Sequence, residues 1–181
     1  MRPFTAKLPD ISIDAGGGIG LTALTRDDED CLDALLTEPE VAEWFDADGG
    51  ELVALIEEPS VTPFLVRRDG VAAGYAQIYH ANADAFWRDL GVPHQTIGID
   101  LSLGGAQNRG AGIGPRVIRA LIDRAFAMQG VAQIIIDPHP DNVRALRAYA
   151  KCGFIFGPPQ PGYYGEPMSL GVLSREEWKS R

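Results

Sequence analysis

The chain has 181 residues, 45% of them hydrophobic, and its 16 Lys and Arg against 25 Asp and Glu give a net charge of −9. That length fits one domain, and the apolar share excludes wholesale disorder. The acidic balance repels phosphate backbones, which disfavours a general nucleic-acid binder, and favours cationic partners wherever the acids gather.

Residues 1–17 are weakly patterned and read as an N-terminal arm or a short extra strand, with the domain proper over residues 18–181. Ile19 to Thr25 alternates as a first strand. Asp27 and Asp28 suit a helix start, and Leu32, Leu35 and Leu36 follow on one helical face. Pro39 interrupts that helix, and a second short one is expected to carry Val41, Trp44 and Phe45. Another helix runs from Gly50 to Glu57, stopping before Pro59. Val61 to Arg68 and Val71 to His80 flank Asp69-Gly70, a strong hairpin signal. Asn82 to His94 reads as a polar loop. Thr96 to Leu103 alternates as a strand, with Gly98, Asp100 and Ser102 on one face and Ile99, Leu101 and Leu103 on the other. A Gly-rich turn leads into a helix from Gly112 to Met128. Gln133 to Ile136 is a short apolar strand of the kind buried in a parallel pair. Asp141 or Asn142 caps a helix that ends near Cys152, with Gly153 as its stop. Phe154 to Gly157 and Met168 to Leu173 read as closing strands. The sum is one α/β (α+β) domain, a mixed twisted sheet of about six to seven strands flanked by helices.

Cys31 and Cys152 lack CxxC spacing, and His80, His94 and His139 are scattered, so neither a disulfide framework nor a metal site is expected. No apolar run reaches the roughly 18 residues of a membrane span, and the first ten residues lack a signal-peptide core. A cytoplasmic protein is expected, with no membrane or nucleic-acid partner.

Two segments carry chemistry. Arg109-Gly110-Ala111-Gly112-Ile113-Gly114 lies between a strand and a helix, where glycine amides and a helix N-terminus make an anion site. The bland alternative is a flexible turn. No Gly-Lys-Ser/Thr follows, so it is not a Walker loop, and the glycine spacing is wrong for a dinucleotide fingerprint. The segment from Asn142 to Phe154 places Asn142 and Tyr149 two helical turns apart on one face. Together the two resemble the signature motifs of the GCN5-related N-acetyltransferase superfamily: the Q/R-x-x-G-x-G/A loop at Arg109, Gly112 and Gly114, and the N-x-x-A-x-x-x-Y-x-x-x-G-F helix at Asn142, Ala145, Tyr149, Gly153 and Phe154. That resemblance implies an acetyl-CoA-dependent acyltransferase. The amides of residues 109–114 would hold the CoA pyrophosphate, Asn142 would hydrogen-bond the pantetheine arm, and the backbone at Leu101 and Leu103 would pair with that arm.

Ser60-Val61-Thr62-Pro63, Gly74-Tyr75-Ala76-Gln77, Gly98-Ile99-Asp100, Asp137-Pro138 and Glu43-Trp44-Phe45 are similar to bacterial aminoglycoside 6'-N-acetyltransferases. This implies a polycationic amine as acceptor, Asp100 as general base and Tyr149 as general acid. Trp44, Gln77, Tyr79, Asp84 and Asp137 would then form the acceptor site. Tyr163, Tyr164 and Glu166 stand in a C-terminal loop that departs from the pattern. Other small amines, such as a siderophore precursor, and a non-catalytic CoA-binding module are the alternatives. Either a monomer or a homodimer is compatible with the sequence.

Overall fold

The computed structural model describes residues 12–108 and 110–180. Its longest hairpin joins β3 (Val61–Arg68) to β4 (Val71–His80) through Asp69 and Gly70, with φ of 50° and 83°. Positive φ at both central residues gives the turn the twist that the flanking strands require. Upstream stand β1 (Ile13–Gly16) and β2 (Ile19–Ala23). Downstream stand β5 (Thr96–Leu103), β6 (Gln133–Ile136), β7 (Ile155–Phe156), the small hairpin β8 (Gln160–Pro161) and β9 (Pro167–Met168), and β10 (Gly171–Ser174).

The main sheet has eight strands in the order β1-β2-β3-β4-β5-β6-β10-β7. Among the described residues, only the β5–β6 pair runs parallel. The strand beyond the expected six to seven is Ile13–Gly16, made from the part of the N-terminal arm that is described. Residues 1–11 of that arm lie outside the described residues. Met168 also leaves the expected closing strand. It joins β9 and packs with Trp87 and Ile135.

Among the described residues, seven α-helices surround the sheet: α1 (Glu29–Leu36), α2 (Pro39–Ala42), α3 (Gly49–Ala54), α4 (Ala85–Asp89), α5 (Ile113–Ala127), α6 (Val143–Cys152) and α7 (Arg175–Lys179). Pro39 opens α2, where its missing N–H costs nothing; the helix ends before Trp44 and Phe45. The expected polar loop 82–94 contains α4, because Asp84 Oδ1 accepts from Phe86 N at 2.7 Å and Trp87 buries itself beneath. The final helix α7 lacks an apolar stripe long enough to read. Ser174 and Glu177 start it with a capping box.

Alternation divides the sheet into two faces. Phe64, Val66, Ala76, Ile78, Ile97 and Ile99 pack on one side against Val117, Ile118, Leu121 and Ile122 of α5. Leu65 and Tyr75 pack on the other against Leu32 and Leu36 of α1 and Leu52 and Val53 of α3. The parallel pairing of β5 with β6 covers only Thr96–Gly98 against Gln133–Ile135. Beyond it β5 runs on to Leu103 while β6 ends at Ile136. Among the described residues, the β6-facing edge of 99–103 therefore has no strand partner, and the sheet opens there.

Candidate active site

On the sheet face opposite α5, a cavity of about 420 Å³ lies between α3, α4 and β8–β9. Its lining includes Gln77, Tyr79, Asp84, Asp100, Asp137 and Tyr163. Period-two alternation brings these together. Tyr75, Gln77 and Tyr79 project from one face of β4, and antiparallel pairing sets Gln77 opposite Asp100. Asp137 enters from the C-terminal end of β6, where that strand leaves the parallel pair.

The Asp100 carboxylate is held from β4. Gln77 Nε2 donates to Asp100 Oδ2 at 2.5 Å, and Tyr75 Oη donates to Gln77 Oε1 at 2.7 Å. Tyr79 lies across Gly98, where a Cβ would run into its ring. Burial raises Asp100 from the ordinary carboxylate range to about 6, opposed by the Gln77 hydrogen bond. Asp137 is raised to about 7, first by burial, then by the charges of Asp100 and Glu166. Tyr149 on α6 is 7% exposed and stacks edge-on with Phe154, ring centroids 5.6 Å apart. Burial, followed by the fields of Asp100 and Asp137, pushes its phenol far above the usual range. It stays protonated at any working pH.

Asp84 spends Oδ1 on the α4 cap, and it is the main influence pushing the Tyr163 phenol up. Tyr163 also meets Phe86 at 5.3 Å and Tyr164 at 4.9 Å, which ties the β8–β9 loop to α4. Glu166 Oε2 accepts from Tyr164 N at 2.9 Å. Of the residues expected around the acceptor, Trp44 stands apart from the cavity lining, its ring 5.6 Å from that of His139. Trp87, Leu55 and Glu58 line the cavity without having been anticipated. Tyr75 shares the β4 face of Gln77 and Tyr79, and in the sequence it stood only within the Gly74–Gln77 resemblance, without a role.

The Gly-rich segment stands at the other side of the opening between β5 and β6. Gly105 N donates to both oxygens of Glu38, at 3.0 and 2.8 Å, and Asn108 Nδ2 donates to Gly104 O at 2.7 Å. Arg68 Nη1 donates to Gln107 O at 2.8 Å. Arg109 lies outside the described residues. Gly110 and Gly112 have φ of 70° and 73°, with open space where a Cβ would sit. Ala111 is exposed, and Ile113 anchors the start of α5 in the core at 2% exposure. Gly114 rests near Leu103, and both Leu101 and Leu103 pack partly buried against the α5 side. Among the described residues, no side chain caps the start of α5, where the first-turn N–H groups lack intrahelical partners. This arrangement fits an anion approached by backbone alone. By contrast, Asn142 spends Oδ1 on Ala145 N, at 3.0 Å, as the cap of α6, leaving its Nδ2.

An acetyltransferase (GNAT) domain family matches residues 25–159 of the chain. The chain belongs to the GNAT acetyltransferases. This acetyltransferase is 32% identical over 159 residues to aminoglycoside N(6')-acetyltransferase type 1 of Klebsiella pneumoniae, covering 80% of this chain and 77% of the relative. It superposes on the aminoglycoside acetyltransferase AAC(6')-Ib in complex with coenzyme A and kanamycin, with a TM-score of 0.80 and 31% identity over 90% of this chain and 98% of that one. The same fold similarity holds for the complex of AAC(6')-Ib with paromomycin and acetyl-CoA, covering 90% of this chain and 96% of that one, again with a TM-score of 0.80. The superfamily and fold class expected from the two motifs are those found.

Proposed function

We propose that this acetyltransferase moves the acetyl group of acetyl-CoA to the 6'-amine of an aminoglycoside. The observation that carries this reading is the acid-lined cavity at the opening between β5 and β6, with backbone amides of the Gly-rich segment on the opposite side. The relatives named for aminoglycoside acetylation add to it.

An ammonium group entering the cavity meets Asp100 and Asp137, with Asp84 further out. Asp100 takes a proton from the amine, directly or through water, and frees its lone pair. A base poised at about 6 is largely ionised at neutral pH and still binds a proton readily. Acetyl-CoA supplies the thioester carbonyl that the amine attacks and the thiolate that leaves. The unpaired edge at Leu101 and Leu103 offers backbone groups to its extended arm, as an added strand would. Residues 110–114 and the α5 N-terminus receive its pyrophosphate, and Asn142 Nδ2 donates to a carbonyl of the arm. Tyr149 protonates the departing sulfur. Transfer is direct, without an acetyl-enzyme: Cys152 is 1% exposed and rests its Sγ on Pro115 O at 3.5 Å, inside the core. A cytoplasmic setting belongs to the same reading, since both cysteines are free thiols. Among the described residues, no helix is long and apolar enough to cross a membrane.

A CoA-release assay with kanamycin, tobramycin, spermidine and lysine derivatives tests the reading. Kanamycin and tobramycin should exceed the other amines in kcat/KM by about a hundredfold or more. Asp100→Asn should reduce that value by roughly 10²–10⁴. Turnover of spermidine or lysine derivatives above the aminoglycosides would move the acceptor to another amine class. CoA binding with no release would make the chain a binding module.

A further inference from the structure

Tyr75 has no part in the chemistry above, yet it is among the largest side chains wholly inside the protein, at 1% exposure. Its ring packs with Leu32, Leu36, Leu52 and Val53 under α1 and α3, and its centroid lies 5.9 Å from that of Phe45. A phenol hydroxyl placed in such apolar surroundings needs a hydrogen-bond partner. Its partner is Gln77 Oε1, two residues along the same face of β4.

A carboxamide has one donor end and one acceptor end. An ionised Asp100 accepts only, so the Gln77 amide must turn its NH2 toward Asp100 Oδ2, as it does. Its carbonyl then points away from the cavity toward apolar core and requires a donor there. Tyr75 is that donor. Burial and the Asp100 charge both hold its proton in place.

We propose that Tyr75 is a positioning residue: through Gln77 it fixes the orientation of the amide and so holds Asp100 with Oδ2 occupied, leaving Oδ1 for the acceptor amine. The inference rests on Asp100 being the base. It also moves Gln77 from contact with the acceptor to support of the base. The titratable groups that face Asp100 come from several elements. Tyr75 and Tyr79 stand on β4, Tyr149 on α6 and Asp137 at the end of β6, while Asp84 and Glu166 act on those neighbours. Against burial, the Gln77 amide favours the ionised carboxylate.

Tyr75→Phe keeps the ring and removes only the donor. It should lower kcat with kanamycin about tenfold while both KM values stay within about twofold. The acid limb of kcat/KM should move up by about half a pH unit or more as the amide loosens. Gln77→Leu, a change on the cavity side, should do the same, and the double variant should be no slower than Gln77→Leu alone. A carbon-13 titration of the Asp100 carboxyl reads the same shift without turnover. An acid limb and a carboxyl titration both unmoved in Tyr75→Phe overturn the inference, as do single-variant losses that multiply in the double variant. Asp100→Asn separates the two levels. If it retains full turnover and the wild-type acid limb, the base assignment itself falls. If it abolishes turnover while Tyr75→Phe is silent, only the role of Tyr75 falls.

Discussion

At the scale of single residues, the site works by placing groups where burial sets their protonation. Asp100 is the clearest case. Raised to about 6, it is ionised at neutral pH and becomes protonated as pH falls through that value, so kcat/KM should fall away below about pH 6. Tyr149 is buried far enough that its phenol never ionises in the working range, and a residue that never ionises is always ready to donate. Its ring is fixed by Phe154 and by the core around α5, so removal of the hydroxyl leaves the packing alone. Tyr149→Phe should therefore lower kcat by about 10²-fold, with the KM for acetyl-CoA nearly unchanged. Steady-state kinetics at saturating kanamycin checks this. A raised KM with unchanged kcat would make Tyr149 an anchor for the donor and not its acid.

At the scale of elements, the proposed transfer depends on the opening between β5 and β6, where among the described residues one strand edge has no strand partner and one helix start has no side-chain cap. Gly112 is the joint between them, at a φ of 73° that an L side chain adopts only at a cost of about 1–2 kcal/mol. Gly112→Val adds that strain and sets a side chain into the open space beside the α5 N–H groups. The KM for acetyl-CoA should rise about tenfold or more, while the KM for kanamycin changes little; initial-rate kinetics over both substrates separates the two. These elements were largely legible in the sequence. The β3, β4, β5 and β6 ranges match their apolar patterns residue for residue, because most side chains in them are buried against one face of the sheet or the other. α5 and α6 announced themselves by stripe and cap. The misses share a cause. α4 and α7 are each five residues long, too short for a period to repeat, and they are held by caps and tertiary packing, whereas the short extra strand expected within residues 1–17 is found as β1. Asp100, Asp137 and Gln77, which line the cavity, were named from the resemblance, and Asp100 was also placed on one face of its strand by alternation. Trp44 follows the end of α2 at Ala42, and its ring lies 5.6 Å from that of His139. Tyr75 was hidden because a hydroxyl on a buried aromatic ring looks like core until its partner is known, and Trp87 because the short α4 that buries it carries no repeating pattern.

For the molecule as a whole, the net charge of −9 is not spread evenly in its effect. Of the acids that line the cavity, Asp100 and Asp137 are raised by burial, and holding them there opposes folding. An Asp in the unfolded chain titrates near 3.9. Asp137 in the folded protein titrates at about 7 and Asp100 at about 6. Both folded values are raised, so the folded state binds more protons than the unfolded chain between those limits. Stability is therefore fully present below about pH 4 and is lost as pH rises through 6 to 7. Asp137→Asn removes one titrating group and relieves Asp100 of a neighbouring charge, at little change in volume. At pH 4, where wild-type Asp137 is neutral in the folded state, the variant should melt within about 2 °C of wild type. At pH 8 it should melt higher by about 3 °C or more, on the order of 1 kcal/mol for a chain of this size. Kanamycin should then narrow the gap, since its ammonium groups neutralise the wild-type pair and find one partner fewer in the variant. Calorimetric melts at both pH values, with and without kanamycin, check all three statements. A variant less stable than wild type at pH 8 would mean that Asp137 is held by favourable contacts and that the acid pair is no burden on the fold.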